Sequence, residues 1–320
     1  MPDPLFDVIA IGDMCVDLVV DVGEAPVRFG QAEQWVCDYL LEMGGAGCIF
    51  ACQAAKLGLR VGILGRVGDD SYGHLVLRRL KESGVDTRFV EVDCDLKTGL
   101  GIALCRPEGD RAILTYAGSL NAVYPEDVTD DFLRSSRHFH YSSYYLQTHL
   151  RPHVPEMLGR AKGMGLTVSL DTNWDPDERW DCGAWEALRY TDLFLPNAKE
   201  ALAIAGRKVL REALADLLKH VPIVAVKRGD KGALLGTREG IKEMPVETVS
   251  KVVDSVGAGD SFDAGFLAGW LRGLSIEQCA SLGNLCGRAT VMAAGGIRGQ
   301  LTVEHLPDWA EAVRSARARL

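Results

Sequence analysis

An α/β protein with a mostly parallel central sheet and helices on both of its faces is predicted for this 320-residue chain on three observations. Short apolar, β-branched runs alternate with helical patterns along most of the length, the rhythm of β-α-β units. Several runs are apolar throughout, as strands covered on both faces are. A glycine stands at the end of three helical patterns, where a left-handed cap stops a helix.

In chain order, strands are expected at Asp7–Ile11, Val61–Leu64, His138–Tyr141, Leu166–Leu170, Leu193–Leu195, Ile223–Val226 and Ala233–Leu235. Between them helices are expected over Gly47–Leu57 before Gly58, Gly73–Ser83 before Gly84, and Pro152–Met164 before Gly165. Two stretches, Met14–Met43 and Leu96–Ser119, break the rhythm with hairpin-like segments and no helix. In the second, Leu100–Cys105 and Arg111–Tyr116 flank the turn Pro107-Glu108-Gly109-Asp110. They read either as a strand pair forming a lid over the α/β body or as ordinary surface hairpins. No repeat or Pro/Ser-rich linker divides the chain, so one domain over 1–320, with an insertion from about 14–43 and 96–119, is expected rather than two.

Composition narrows the partners. With 35 Lys and Arg against 44 Asp and Glu the net charge is −9, which speaks against nucleic acid or an anionic membrane as the main partner. The longest run without a charged residue is Ala112–Pro125, short of the ~20 residues that span a bilayer. Nine scattered cysteines without a CxxC suit reduced thiols in the cytoplasm. Glycine, 35 of 320, exceeds the typical ~7% and implies tight turns or close backbone approach at many places.

The chemistry concentrates in Asp254-Ser255-Val256-Gly257-Ala258-Gly259-Asp260, which follows a strand-like Lys251–Val253 and enters an apolar helical run through Leu271. A Gly-Ala-Gly turn opening a helix directs unpaired N–H groups and the positive end of the helix dipole at one point, an anion site made of main chain. Asp260 falls in the first turn. It is either a carboxylate that favours the dipole, or a general base taking a proton from a hydroxyl while the amides hold a phosphoryl group. His138-x-His140, with His149 and His153 nearby, lacks acidic or thiol company and reads as structure rather than a zinc site.

Asp254–Asp260 resembles the C-terminal signature of the ribokinase-like (PfkB) carbohydrate kinases. An N-terminal signature is similar in Gly44-Gly45-Ala46-Gly47-Cys48-Ile49-Phe50-Ala51, Leu57-Gly58 and Gly65-Arg66-Val67-Gly68-Asp69-Asp70 with Gly73. Asp171-x-Asn173, Asn197-x-x-Glu200 and Lys227-Arg228-Gly229-x-Lys231-Gly232 lie between them in the family's order. The resemblance implies a three-layer α/β/α fold with a small β lid, transferring the γ-phosphoryl group of ATP to a hydroxyl of a small molecule. It makes Asp260 the base and Gly257, Ala258 and Gly259 the anion hole. Asn197 and Glu200 would position Mg2+ and the nucleotide phosphates indirectly, though a loop Asn and a helix-cap neighbour explain the same pair without the family. Lys227, Gly229 and Gly232 would line the nucleotide site.

On the acceptor side the resemblance implies Asp17, Gly44 and Gly45, with Asp13, Ile49 and Asn173 also at substrate-binding positions. Ile49 stands where relatives often carry Asn, Asp175 where many carry Arg, and Ala46 where some carry Lys. Loss of cations argues against a phosphorylated or carboxylated acceptor, so a neutral sugar is expected. A nucleoside is the alternative, for which Ile49 with Tyr116, Tyr141, Tyr144 and Tyr145 would offer an apolar pocket, although core packing is the expected role of at least two of these tyrosines; a binding protein without catalysis is the other. Asp254 with Ala293–Gly296 and Gly299 corresponds to a loop that holds a monovalent cation such as K+ in some relatives. A lid sheet with a free edge would be protected by pairing two lids in a homodimer.

Overall fold

The computed structural model describes residues 4–24, 26–106, 111–180 and 182–307. The chain runs β1 (Val8–Ile11), β2 (Cys15–Asp21), β3 (Asp38–Gly44), α1 (Ala46–Lys56), β4 (Val61–Gly68), α2 (Ser71–Glu82), β5 (Asp86–Asp93), β6 (Gly99–Cys105) and β7 (Arg111–Tyr116). It continues α3 (Asp130–Arg134), β8 (His138–Tyr141), α4 (Val154–Gly163), β9 (Thr167–Leu170), α5 (Ala184–Leu188), β10 (Leu193–Phe194), α6 (Ala198–Ala205), α7 (Leu210–Leu217) and β11 (Ile223–Lys227). Two hairpin strands, β12 (Ala233–Thr237) and β13 (Gly240–Met244), precede α8 (Ala258–Leu271) and α9 (Ile276–Thr290).

Nine strands form the main sheet in the order β13-β12-β11-β10-β9-β8-β1-β4-β5. All neighbours are parallel except β11–β12 and β12–β13. The apolar runs of the sequence are explained by two cores, one on each face. Along β1, Val8 and Ala10 join the core built with α1, α2, α8 and α9, while Ile9 and Ile11 join the one built with α3 to α7. A strand that buries both faces favours apolar residues at every position, and a polar one there needs an internal hydrogen-bond partner.

The three glycine stops cap as expected, with φ of 84° at Gly58, 85° at Gly84 and 90° at Gly165. All seven expected strands are present with ends shifted by a few residues. Lys251–Val253 is a correction: it is irregular chain, fixed by the Val253 N–H donating to the Val291 carbonyl at 2.8 Å. The edge strands β5 and β13, mixed in polarity, escape a search for apolar runs.

The two segments that break the rhythm form a second, four-stranded sheet in the order β3-β2-β6-β7. Its centre is a parallel pair, β2 with β6, flanked by antiparallel β3 and β7. The turn Pro107-Glu108-Gly109-Asp110 lies outside the described residues. The histidines of β8 are core groups: His138 Nε2 and His140 Nδ1 share the Ser169 hydroxyl at 2.7 and 2.8 Å. Burial holds His138 down at about 3, so it packs uncharged. Among the described residues no helix is long and apolar enough to cross a membrane.

Candidate active site

After β1 the chain builds β4 and β5 on one side of it, then returns to place β8 on the other. The loops leaving β1 and β8 therefore part company, opening the crevice where open α/β sheets bind ligands. Asp13 follows β1, Ser143 follows β8, Asp171 and Asn173 follow β9, Asn197 follows β10, and Lys227 ends β11. The motifs scattered through the sequence thus converge on the C-terminal edge of one sheet.

Helix α8 points its N-terminus into this edge. Gly257 precedes it with φ 73°, and a β-carbon there would lie 2.7 Å from Gly296 Cα and 2.9 Å from Ile49 Cγ2. The turn needs glycine for both conformation and space. Asp260 sits in the first turn, beside N–H groups that have no intrahelical acceptor. Burial, then the negative charge of Asp171, pushes its carboxyl up to about 7. One carboxylate oxygen from each of Asp171, Asp260 and Asp263 lies within 4.8 Å of the others.

Lys227 lies in this acidic group. Its Nζ donates to Asp263 Oδ2 at 2.9 Å, Asp263 Oδ1 at 3.1 Å and Asp171 Oδ2 at 3.1 Å. Burial opposes the ammonium, but Asp171, Asp263 and Glu200 outweigh it and hold the charge above its ordinary range. A β-carbon at Gly259 would approach Lys227 Nζ to 3.4 Å, so the ammonium lies beneath the glycine turn.

Asn197 and Glu200 form a reciprocal cap on α6. The Asn197 side chain accepts from the Lys199 and Glu200 N–H groups at 2.9 and 3.0 Å, and the Asn197 N–H donates back to Glu200 Oε2 at 2.8 Å. Glu200 is buried, and burial with the nearby Asp171 raises its carboxyl to about 7. Capping and a place beside the acidic group are both properties of this pair. Gly229 and Gly232 shape the β11–β12 turn with φ of 61° and 72°; a β-carbon at Gly232 would strike the Met244 carbonyl oxygen at 2.1 Å.

On the acceptor side, Asp17 in β2 is flanked by two glycines. A β-carbon at Gly44 would lie 2.4 Å from Asp17 Oδ2, and one at Gly101, paired with Asp17 across β6, 2.6 Å from Oδ1. Gly101 went unnoticed in the sequence, because only the β2–β6 pairing gives it meaning. Gly45 has φ 86°, and its β-carbon would meet the Asp13 carbonyl oxygen at 2.1 Å. The Asp13 carboxylate, expected beside the acceptor, accepts from the Ala46 and Gly47 N–H groups at 3.1 and 2.8 Å and from Ser143 Oγ at 2.5 Å. Its oxygens hold the start of α1. Asn173, with φ 55°, donates from Nδ2 to Ser143 Oγ at 2.9 Å and extends this network.

The structure also places Ile49, the tyrosines and Asp175, and the burial of Tyr141, Tyr144 and Tyr145 agrees with core packing for at least two of them. Ile49 is 2% exposed and packs in the core beneath Gly257 and Gly296, so the structure gives its side chain to the floor of the anion turn. Tyr141, Tyr144 and Tyr145 are fully buried, leaving Tyr116 as the exposed member of that group. Asp175 is buried within its own loop, accepting from the Asp177, Arg179 and Trp180 N–H groups at 3.0, 2.9 and 2.8 Å. Asp254 Oδ1 and Oδ2 accept from the Val256 and Gly295 N–H groups, both at 3.0 Å, joining the two loops named for a monovalent cation.

A nine-stranded, mostly parallel sheet with helices on both faces, joined by a second, four-stranded sheet, makes this a ribokinase-like fold. The pfkB family carbohydrate kinase profile matches residues 6–302, and the chain belongs to that family of sugar kinases. It is similar to the 2-dehydro-3-deoxygluconokinase of Bacillus subtilis, 32% identical over 87% of this chain and 89% of the relative. It is also similar to the ATP-dependent ribose-1-phosphate kinase of Halopiger xanaduensis, 32% identical over 90% of this chain and 93% of the relative. A crystal structure of an E. coli protein assigned as Ribokinase II, in complex with ATP and Mg2+, superposes with a TM-score of 0.82 at 25% identity, covering 95% of this chain and 99% of that one.

Proposed function

We propose that the protein transfers the γ-phosphoryl group of ATP to a hydroxyl of a neutral sugar in the cytoplasm, with Asp260 as general base. The observation that carries this reading is the position of Asp260: first turn of α8, directly after the left-handed Gly257, with its carboxyl raised to about 7. A base poised near neutral pH is ionised in a substantial fraction of molecules and is basic enough to take a hydroxyl proton. The N–H groups of the Gly257–Gly259 turn and the dipole of α8 oppose the charge that develops on the moving phosphoryl group. Asp17, held between Gly44 and Gly101, suits a polyol because a carboxylate accepts two hydroxyl hydrogen bonds.

The carboxylates of Asp171, Asp260 and Asp263, with one oxygen of each within 4.8 Å of the others, are an all-oxygen group of the kind that suits a hard cation. We assign Mg2+, which neutralises phosphate charge when bound with ATP, to the Asn197–Glu200 side, and K+ to the loops joined by Asp254. The four-stranded sheet acts as the lid of a single domain, closing on the acceptor and excluding water. One face of that sheet is apolar, with Leu18, Leu41, Ile102 and Leu114 aligned across all four strands. Pairing of two such faces would give the homodimer, which sedimentation velocity tests through the mass of the species.

A neutral acceptor fits the charges: Asp171 and Asp13 push the Asp260 carboxyl up, and Lys227, the cation that opposes them, is already paired with Asp171 and Asp263. A nucleoside fits less well, because Ile49 and three of the four tyrosines that would line its pocket are buried. A second reading, a sugar acid or sugar phosphate, is favoured by the named activities of the two relatives.

Production of ADP from Mg-ATP with neutral sugars, sugar acids, sugar phosphates and nucleosides decides among these. Turnover with a neutral sugar is expected, together with a fall of roughly 10²–10⁴-fold in Asp260→Asn. Turnover confined to acids or phosphates would replace the acceptor assignment by the second reading. Undiminished turnover in Asp260→Asn would remove Asp260 as the base.

A further inference from the structure

Glu42 in β3 is paired directly across from Asp17 in β2, yet it is only 2% exposed. A carboxylate that far from water needs cationic partners, and two arginines from outside the small sheet provide them. Arg79 of α2 donates from Nε to Glu42 Oε1 at 2.7 Å and from Nη2 to Oε2 at 3.2 Å. Arg298, in the loop after α9, donates from Nε to Oε2 at 3.2 Å. The stem of Glu42 packs on the same loop: a β-carbon at Gly295 would lie 3.2 Å from Leu40 Cδ2 and 3.4 Å from Glu42 Cγ.

That loop also meets the turn that opens α8. A β-carbon at Gly257 would lie 2.7 Å from Gly296 Cα, and the Gly295 N–H donates to Asp254 Oδ2 at 3.0 Å. Its far end is held to α1, where Lys56 Nζ donates to the Ile297 carbonyl at 2.9 Å and Gln300 Nε2 to the Ile49 carbonyl at 2.8 Å. Residues 295–298 therefore form a wedge between β3 and the Gly257 turn. The bond between Glu42 and Arg298 closes the small sheet onto that wedge.

Resting on the reading of Gly257–Gly259 as an anion site, we propose that Glu42 and Arg298 are positioning residues whose ion pair fixes β3, and with it the acceptor side at Asp17 and Gly44, in place relative to the Gly257 turn. Arg298 acts through Glu42 and not as a ligand of phosphate. The two sides belong to different elements, and a misplacement of about 1 Å between reacting groups costs on the order of 10²-fold in rate. A bond from β3 to the wedge guards against that slip.

The test needs no acceptor. Calorimetry measures binding of Mg2+ with a non-hydrolysable ATP analogue, and of Mg2+ with ADP, to wild type, Glu42→Gln, Arg298→Met, Arg298→Lys and Gly257→Ala. The side chain of Arg298 is 51% exposed, so its loss should leave the melting temperature within about 3 °C of wild type. A displaced turn makes poorer amide bonds to the terminal phosphate, which ADP lacks. Analogue affinity should fall about tenfold in Glu42→Gln and in Arg298→Met, with ADP affinity within about threefold of wild type. Arg298→Lys, which keeps the charge, should recover most of the loss.

Unchanged analogue affinity, or an equal loss with ADP, would overturn the proposal. So would tighter analogue binding in Glu42→Gln, the sign of an arginine released to hold phosphate itself. If Glu42→Gln does not fold, the two Arg298 variants decide: a loss confined to the analogue and recovered by lysine supports the pair, and any other pattern overturns it. Gly257→Ala separates the two readings. If it loses analogue affinity while the pair variants keep theirs, the pair fails and the anion site stands; if none loses affinity, both fall.

Discussion

Ser143 Oγ donates to Asp13 Oδ2 at 2.5 Å across the crevice between the loops that leave β8 and β1. The bond ties together the two chain segments whose divergence makes the site, and both residues are buried. Ser143→Ala leaves Asp13 with only its two backbone donors and Asn173 without its acceptor. We expect a loss of about 1–3 kcal/mol in urea unfolding, the cost of stranding buried polar groups. An unchanged denaturation midpoint would refute the assigned importance of this tie.

Activity should depend on pH in a defined direction. Burial raises Asp260 to about 7, and the base must be ionised, so kcat/KM should rise through an acid limb near that pH and level off above it. Stability runs the other way. Between the ordinary carboxylate range and about 7 the folded protein binds the proton that the unfolded chain has released, so this group's contribution weakens as pH rises. Asp260→Asn should then raise the melting temperature at pH 8 by several degrees and by little at pH 4, as differential scanning calorimetry would show.

Gly257→Ala tests the anion turn. The new β-carbon meets Gly296 Cα at 2.7 Å at a φ of 73°, so the turn must move or strain by about 1–3 kcal/mol. A shift of the amides opposite Asp260 should lower kcat by about 10²-fold or more. A variant as active as wild type would show that the turn does not shape catalysis.

Glu200→Gln separates capping from cation binding. Glutamine keeps an acceptor for the Asn197 N–H but loses the second oxygen that receives Asn197 Nδ2, so stability should fall by about 1–3 kcal/mol in urea unfolding while the cap persists. The proposed Mg2+ role needs the charge, so the Mg2+ concentration for half-maximal rate should rise about tenfold. An unchanged Mg2+ requirement would leave Glu200 with the cap alone.

How far the sequence disclosed this site depended on whether its chemistry was local. The Gly257–Asp260 turn and its helix occupy one stretch, so their arrangement could be read directly, and the left-handed Gly257 agrees with it. Gly58, Gly84 and Gly165 were legible for the same reason. The partners of Lys227 were not legible, since Asp171 and Asp263 lie 56 and 36 residues away and only the fold brings them to its ammonium. The surroundings of Ile49 and Asp175 were hidden in a related way: burial directs one to the core and the other to its own loop, and neither is visible in the local sequence.

The parallel pair at the centre of the small sheet also bears on how the molecule assembles. Asp17 in β2 finds Gly101 only in β6, after β3, α1, β4, α2 and β5 have been laid down in the chain. Closing so long a loop is entropically slow compared with forming a hairpin. During synthesis β2 and β3 can zip together early, but the second wall beside Asp17 must wait until β6 has emerged. The surroundings of Asp17 therefore mature late, and a nascent chain ending before β6 would hold half a cradle.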